Sequence, residues 1–355
     1  MHSPIPMQRR PLRPVGFLAL VFCVFCLSLA PIRAVAAQPL RVCLLLESDT
    51  ADRGWHDLLR QGLARAAREH PVDARVAVAP TGPEQQDIFR REAANADLLI
   101  VADDSLHEVL RNNAAAFPRV RFGCIDTGVR AANIMSVSFA DEQAAFLAGV
   151  AAAMLTTSDS RGMNPQKTLG WLSGQETGPI VTMLNGFLEG ARLVDPQMRI
   201  VHRAVGSFED AEGARARCRE ILDEGADIVV LAAGGAGLAA LDVLAERKAL
   251  AIGIAADQDN LRPGAVLTSI LKRGDRAVCD IVKSLVRGRF QGAEILTYNL
   301  SDQGVGITDF GPFARSAGNR LPPRLTSRLA ELKGELERGG IRLPSLRQRT
   351  LCNCR

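Results

Sequence analysis

The sequence predicts an α/β protein with two doubly wound parallel-sheet lobes, and three observations lead to that prediction. Short apolar runs, typical of strands buried on both faces, alternate with longer stretches typical of helices. This alternation restarts near residue 168, and the final segment returns the chain toward the first half. The length of 355 residues also suits one large or two medium-sized α/β domains.

The first half opens with the continuous apolar run Leu40–Leu46, which predicts a strand buried on both faces. Four further strands are predicted, at 74–78, 97–101, 119–125 and 134–139. Helices are predicted between them, at 55–69, up to about 94 and at 105–116. The run Glu142–Leu155 is apolar around its circumference and therefore predicts a buried helix.

The second half repeats the pattern. Its predicted strands lie at 168–172, 198–204, 228–233 and 251–254, with helices at 180–193, 211–224 and 238–248. A glycine turn, Gly234-Gly235-Ala236-Gly237, joins the third of these strands to its helix. A helix at 276–287, a strand at 304–307 and a charged helix at 323–338 complete the chain.

This order predicts five segments. They are a leader at 1–36, lobe I at 37–138 plus 257–298, lobe II at 139–256 plus 299–344, and a disordered tail at 345–355.

The leader has the features of a cleaved signal peptide. It carries four arginines and no acidic residue, an apolar run from Val15 to Ala30, and the small-residue site Ala34-Val35-Ala36. The prediction is a soluble exported protein, periplasmic where the source has two membranes. The apolar run of 16 residues is short for a membrane span, and a retained N-terminal anchor is the alternative.

Charge excludes two classes of partner. Without the four leader arginines, the 43 basic residues become 39, equal to the 39 acidic residues. The mature chain therefore has no charge-based case for binding nucleic acid or for binding or entering an anionic membrane.

Cysteine usage suggests packing rather than chemistry. Cys43, Cys124, Cys218 and Cys279 lie in predicted strands and helices, where buried small apolar residues are expected. Export permits a disulfide, although spacing alone pairs none of them. The Cys352-Asn-Cys354 pair can bind a metal or oxidise, but it has no His or acidic neighbour, so a disordered tail is the preferred interpretation. No cofactor or metal is predicted.

A ligand site is expected where the strands end, because ligands of open parallel sheets collect beyond the carboxyl ends of the strands. That rule selects Asp49–Trp55, Asp126, Phe208, Gly234-Gly235 and residues 255–258. A loose dinucleotide pattern, Gly235-x-Gly237-x-x-Ala240 with Asp257 beyond it, is an alternative use of the glycines. No GxSxG or HExxH motif occurs, and no enzymatic activity is predicted.

Several motifs occur in an order shared with one family. They include Asp52-Arg-Gly-Trp-His56, Leu169–Gly174, Asn185–Ala191, Gly206–Asp210 and Leu267–Lys272. From about Leu40 to Pro344 the chain resembles the basic membrane protein family of ABC transporter substrate-binding proteins, which includes the PnrA-like purine nucleoside receptors. The resemblance implies a type I periplasmic-binding fold, three hinge crossings, a ligand enclosed between the lobes, and an ABC permease as partner.

The resemblance also implies site residues. Trp55 and Phe208 take the positions of two aromatic residues that sandwich a base, and such pairs gain about 0.5–1.5 kcal/mol beyond burial. Asp126 and Lys272 take the positions of groups that bind sugar hydroxyls, and Asp52 belongs to the same site. Gly234 and Gly235 allow the backbone to approach the ligand.

Three positions depart from the family pattern. Ala255 stands where the family carries an aspartate that is expected to bind the sugar, His56 replaces an asparagine, and Met183 replaces a common phenylalanine. His56 is either a site residue or a surface helix residue, and Asp257 either contacts the ligand or holds the hinge. Losing the carboxylate leaves buried sugar hydroxyls without an acceptor, which costs about 1–3 kcal/mol of binding free energy. A nucleobase or another small planar heterocycle fits better than a ribonucleoside.

The function predicted from these observations is an exported solute-binding protein of an ABC importer with a purine-like ligand. The alternative is a protein that presents its bound solute to a membrane receptor.

Overall fold

The strands and helices of this computed structural model follow the predicted alternation. The structure describes residues 38–160, 162–316 and 321–343. The predicted leader at 1–36 and the tail with Cys352 and Cys354 therefore lie outside the described residues.

The first half of the chain forms five strands and four helices. They are β1 (Leu40–Leu46), α1 (Trp55–Glu69), β2 (Val72–Val78), α2 (Gln85–Ala94), β3 (Leu98–Val101), α3 (Asp104–Asn113), β4 (Arg121–Ile125), β5 (Ile134–Phe139) and α4 (Asp141–Thr156). The predicted strands and helices are all present, with ends that shift by a few residues.

The second half begins with the same alternation and ends with shorter elements. They are β6 (Thr168–Ser173), α5 (Gly178–Val194), β7 (Arg199–Ala204), α6 (Ala211–Asp223), β8 (Ile228–Ala232), α7 (Gly234–Glu246), β9 (Leu250–Ala255), β10 (Val266–Lys272), α8 (Gly274–Val286), β11 (Ile295–Tyr298), β12 (Val305–Ile307), α9 (Gly311–Ala314) and α10 (Leu325–Glu337).

The strands form two six-stranded sheets. The first sheet has the order β11-β5-β4-β3-β1-β2 with every pair parallel, and the second has the order β12-β10-β9-β8-β6-β7 with only the β10–β12 pair antiparallel. The chain passes between the sheets three times, after β5, after β10 and after β11. This topology confirms the predicted fold class of two doubly wound lobes with three crossings.

Burial on both faces explains the continuous apolar strands. In β1, Leu44 and Leu46 pack into one apolar cluster, while Cys43 and Leu45 pack into a second cluster on the opposite face. A parallel sheet covered by helices on both sides requires apolar residues at successive positions. The four described cysteines are free and buried, as predicted.

The expected lobe boundary after Ala256 differs from the structure. That boundary put residues 257–298 in lobe I, whereas β10 pairs in parallel with β9 and belongs to the second sheet. Thr268 and Ser269 make this stretch polar for an inner strand, yet both side chains are fully buried. They are hydrogen-bonded there, Ser269 Oγ donating to Asp259 Oδ1 at 2.6 Å and Thr268 Oγ1 lying 2.9 Å from Thr308 Oγ1.

Two further local predictions need correction. Residues Gly234–Gly237, predicted as a turn, form the first turn of α7, because the helix begins at Gly234. The edge strand β11 was not predicted; its four residues lack a continuous apolar run, and Thr297 within it is exposed.

Helices α4 and α5 approach closely because three glycines lie at their contact. A Cβ atom at Gly149 of α4 would lie 2.1 Å from the Phe187 carbonyl oxygen. A Cβ atom at Gly186 or Gly190 of α5 would lie 2.3 or 2.0 Å from a carbonyl oxygen of α4. Since these atoms belong to backbone, an added methyl group must move one helix against the other.

We therefore predict that Gly190→Ala lowers the free energy of unfolding by about 1–3 kcal/mol, through overpacking of the α4–α5 contact. Gly178→Ala is the matched control, because it lies at the start of the same helix and its Cβ would meet no atom within 4 Å. Thermal unfolding compares the two variants, and equal melting temperatures would contradict the packing argument.

Candidate functional site

A cavity of about 430 Å³ lies between the carboxyl ends of the strands of the two sheets. Its walls come from the segments that follow β1, β2, β3 and β4 in the first sheet and β6, β7, β8 and β9 in the second, together with the end of β10. This is the position that open parallel sheets use for ligands. The volume falls within the range of small-molecule sites, about 300–1,000 Å³.

Nine of the ten residues predicted for a ligand site line this cavity. They are Asp52, Trp55, His56, Asp126, Met183, Phe208, Gly234, Gly235 and Lys272. Asp257 does not line it; its side chain is exposed and accepts from the backbone N–H of Asp259 at 3.1 Å. Nor does Asp257 lie at a crossing between the sheets, because the chain continues from it into β10.

Trp55 lies at the first residue of α1 and forms part of the first-sheet wall. Its indole packs on the backbone of Gly274, where a Cβ atom would come within 2.6 Å of the ring. The Nε1–H donates to the Ala102 carbonyl at 3.4 Å, and the ring meets Phe139 edge to face at 6.1 Å between centroids. The indole is thus fixed in orientation before any ligand arrives.

Phe208 supplies an aromatic side chain from the second sheet, in the segment after β7. Its ring covers Gly174, where a Cβ atom would lie 2.2 Å from a ring carbon. Gly234 has a φ of 55°, a left-handed conformation that glycine adopts without strain. The Phe208 carbonyl accepts from the Ala236 N–H at 2.8 Å, which ties the segment to the start of α7.

A buried ion cluster joins the sheets at the base of the cavity. The Lys272 ammonium at the end of β10 pairs with Asp126, which follows β4, and donates to Asp141 Oδ2 at 3.0 Å. All three side chains are largely shielded from solvent. The Lys272 Nζ also lies 5.2 Å from the Trp55 ring centroid and 4.9 Å from that of Phe139, within cation–π range.

The cluster holds two carboxylates against one ammonium. Burial raises the pKa of Asp141 to about 7, and Lys272 offsets that only in part. Burial raises the pKa of Asp126 as well. Burial opposes the charged form of Lys272, but Asp126 and Asp141 outweigh it and raise the lysine pKa. The lysine therefore stays charged, and one carboxyl group of the cluster takes a proton near neutral pH.

His56 and Asp52 are fixed at the start of α1. Asp52 accepts from the backbone N–H groups of Gly54 at 2.9 Å and of His56 at 3.0 Å, a favourable place for a carboxylate at a helix N-terminus. His56 Nε2 lies 2.7 Å from Asp103 Oδ1. Burial disfavours the charged imidazole, but the Asp103 carboxylate outweighs it and raises the His56 pKa. His56 is thus held in the cavity wall rather than free on the helix surface.

Direct contacts hold the cleft closed. Ser48 Oγ and Thr50 Oγ1, in the segment after β1, donate to Glu209, which follows β7; the Thr50 contact measures 3.1 Å. Gln258 Nε2, in the segment after β9, donates to the Arg53 carbonyl at 3.1 Å. Each of these hydrogen bonds joins the first-sheet side of the cavity to the second-sheet side.

Ala255 ends β9 and lines the cavity with an apolar surface. Its φ is 67°, a left-handed conformation that asparagine and aspartate tolerate better than alanine. The backbone geometry there thus suits the carboxylate expected at this position, although the side chain is absent.

Sequence reasoning missed several side chains of the site. Asp103, Asp104 and His107 follow β3. The rule that ligands collect beyond the carboxyl ends of strands, here called the strand-end rule, identifies Asp103 and Asp104 when it is applied to β3. Glu47 directly follows β1, just before the Asp49–Trp55 segment that the sequence analysis selected. Asp141 gave no signal, because it reads as an ordinary acidic residue at the start of a helix.

Two features are absent from the described part of the chain. No group of three or more His, Cys, Asp or Glu side chains there is arranged to hold a metal ion. None of the described helices is long and apolar enough to cross a membrane.

Comparison with known proteins places the chain among transport proteins. Residues 40–321 match the family model described as ABC transporter substrate-binding protein PnrA-like. Basic membrane protein A1 of Borrelia garinii is 22% identical over 297 residues, covering 82% of this chain and 86% of the relative. The ABC transporter nucleoside-binding protein BmpA of Lactococcus lactis is 30% identical over 225 residues, covering 58% of this chain and 60% of the relative.

Solved structures show the same fold. An ABC transporter solute-binding protein from Aeropyrum pernix superposes with a TM-score of 0.77 at 22% identity, covering 86% of this chain and 94% of that chain. An ABC transporter solute-binding protein from Conexibacter woesei superposes with a TM-score of 0.65 at 19% identity, covering 86% of this chain and 99% of that chain.

The buried cluster generates a pH prediction. A carboxyl group whose pKa is higher in the folded than in the unfolded chain stabilises the fold below its unfolded pKa, and that stability is lost as the pH rises through the folded pKa. For Asp141 the loss runs from about pH 4 to about pH 7. We expect Asp141→Asn, which cannot titrate, to flatten the fall of the melting temperature across this range.

Asp257→Asn, outside the cavity, is the control and is expected to keep the wild-type pH dependence. A melting temperature that falls equally steeply in Asp141→Asn and in the wild type would show that Asp141 does not titrate in this window.

Proposed function

The chain belongs to the PnrA-like family of ABC transporter substrate-binding proteins, and from that premise we propose that it captures a small purine-like heterocycle between its two sheets. The bound ligand would then be delivered to the membrane permease of an ABC importer. The observation that carries the proposal is a cavity with one aromatic wall from each sheet, Trp55 and Phe208. Flat aromatic walls on opposite sides suit a planar ring.

The proposed mechanism is closure of the two sheets around the ligand. The contacts of Ser48 and Thr50 with Glu209, and of Gln258 with Arg53, are those that opening would break. The crossing segments are linked to one another, the Ala140 N–H donating to the Tyr298 carbonyl at 2.8 Å. They form a base on which the lobes can rotate, and the closed form would dock on the permease.

We propose that the ligand is not an ordinary ribonucleoside. A relative from Lactococcus lactis is named as nucleoside-binding, but this chain carries Ala255 where the family resemblance places a sugar-binding carboxylate. Vicinal hydroxyls facing an alanine methyl group would lose hydrogen bonds to water without replacement. A nucleobase or a heterocycle with a different substituent avoids that cost.

The proposal also places the mature protein outside the cytoplasm. The features of residues 1–36 support export through a cleaved signal peptide, to the periplasm where the source has two membranes. A relative from Pyrococcus abyssi is named a lipoprotein, which is consistent with a protein that acts outside the cytoplasm at a membrane surface. No chemical step is proposed, because the family consists of solute-binding proteins.

A thermal-shift screen of nucleobases, nucleosides and related heterocycles tests the proposal. We expect Trp55→Ala and Phe208→Ala each to weaken the best-binding compound by more than tenfold, about 1.4 kcal/mol, because each removes one stacking wall. Trp55→Phe, which keeps a ring, is expected to lose less. Calorimetric titration measures the affinity of each variant for this compound. Unchanged affinity in both alanine variants would contradict the aromatic site.

Restoring the missing carboxylate tests the role of Ala255. We expect Ala255→Asp to tighten ribonucleoside binding by about tenfold, since it supplies an acceptor for the hydroxyls. Ala256→Asp is the matched control, because the neighbouring residue does not line the cavity. The interpretation fails if both variants bind ribonucleosides equally, or if the wild type already binds them more tightly than it binds nucleobases.

A further inference from the structure

The two walls of the cavity differ in their share of apolar residues. The second-sheet side carries an apolar patch formed by Ile180, Met183, Ala232, Ile254 and Ala255, beside the polar residues Gln175, Ser207 and Glu209. The first-sheet side carries a row of carboxylates, Glu47, Asp103, Asp104 and Asp126. A ligand with one polar edge and one apolar substituent fits this arrangement.

His107 contributes a buried ring nitrogen that makes no hydrogen bond within the described chain. Its side chain is 4% exposed and lines the cavity. Its Nε2 lies 2.8 Å from the Ile125 carbonyl, and because a carbonyl only accepts, Nε2 carries a hydrogen. The Nδ1 has no hydrogen-bond partner among the described residues, and Asp104 Oδ1 lies 3.8 Å from it. Buried polar atoms are rarely left unpaired, so this corner of the cavity, with Asp104 beside His107, points to a polar group on the ligand.

Carboxylates outnumber cations on the cavity walls. Six carboxylate side chains line it, from Glu47, Asp52, Asp103, Asp104, Asp126 and Glu209, and Lys272 is the single lysine or arginine among the lining residues. Lys272 is already paired with two carboxylates, Asp126 and Asp141. Within the described chain, Glu47 and Glu209 accept hydrogen bonds from neutral hydroxyl and amide groups.

Glu47 is a buried member of this set. Burial raises its pKa most and Asp103 raises it further, while the hydrogen bonds from Ser105 and the nearby His56 oppose these effects only in part. Asp103 lies beside it, with its Oδ2 accepting from the Glu47 backbone N–H at 2.8 Å. A cation in the cavity would relieve both the burial of the Glu47 carboxylate and its repulsion from Asp103.

We infer that the ligand is a positively charged heterocycle with N–H donors on the edge facing Glu47 and Asp104, and with an apolar substituent facing Ala255 in place of a sugar. This inference rests on the proposed function, because it specifies the ligand of the same cavity. Charge-assisted hydrogen bonds from the donors to the carboxylates provide selectivity, and the apolar substituent covers the second-sheet wall without losing bonds to water.

Matched probes separate charge from shape. The cation 1-butyl-4-aminoquinolinium and the neutral 4-butyl-1-naphthylamine have the same rings, amino group and chain, and they differ in one ring atom. A third probe, 1-(2,3-dihydroxypropyl)-4-aminoquinolinium, replaces the apolar chain by a hydroxylated one. Calorimetric titration of the full mature chain compares these with adenine and adenosine.

We expect the butyl cation to bind at least tenfold more tightly than its neutral isostere and than the dihydroxypropyl cation. Asp104→Asn and Glu47→Gln should each reduce the preference for the cation by severalfold. Glu108→Gln is the control and should leave the preference unchanged. Glu108 lies one turn further along α3, is exposed, pairs with Arg111 and does not line the cavity.

The other outcomes are distinguishable. If adenine, adenosine or the neutral isostere binds as tightly as the cation or more tightly, the inference is overturned, while the proposed capture of a small heterocycle in this cavity stands. If the cation preference persists equally in Asp104→Asn and Glu47→Gln, these carboxylates do not cause it, and the inference is likewise overturned. If none of the five compounds and no nucleobase or nucleoside binds, both the inference and the proposed function fail.

Discussion

The buried contact of Lys272 with Asp126 and Asp141 is the interaction on which the rest of the site depends. Lys272 ends a strand of the second sheet, Asp126 follows a strand of the first, and Asp141 begins the helix that carries the chain from one to the other. Removing the lysine from a buried ion cluster of this kind typically costs about 3–5 kcal/mol, because its carboxylates remain without compensation. The cluster thus fixes the sheets where their strand ends meet, and it also forms the base of the cavity.

The aromatic walls are built outward from this base. The lysine ammonium lies against the Trp55 and Phe139 rings, and Trp55 rests on the backbone of Gly274, the residue that begins α8 after the second crossing. On the other sheet, Gly174 leaves the space that the Phe208 ring occupies. Positions with no side chain therefore determine where the two rings stand.

Most of the fold could be predicted from the sequence because parallel strands covered by helices must be apolar on both faces. The strand β10 departs from that apolar pattern, because Thr268 and Ser269 are buried through specific hydrogen bonds that no local sequence pattern reveals. The strand-end rule led to several of the cavity residues, among them Trp55, Asp126 and Phe208. It did not lead to Asp141 or His107, because their roles arise from contacts between distant segments. Asp257 was misplaced for the same reason: the crossing lies after Lys272, beyond the strand that follows Asp257.

The central claim is that the ligand ring lies between Trp55 and Phe208, with its polar edge toward the first sheet and its substituent toward Ala255. A crystal structure of the mature protein with the most strongly stabilising compound tests it most directly. The account predicts the ring between the two aromatic side chains, a ligand donor on Asp104 or Glu47, and an apolar group against Ala255. A ligand bound outside this cavity, or one inside it with hydroxyl groups against Ala255, would contradict the account.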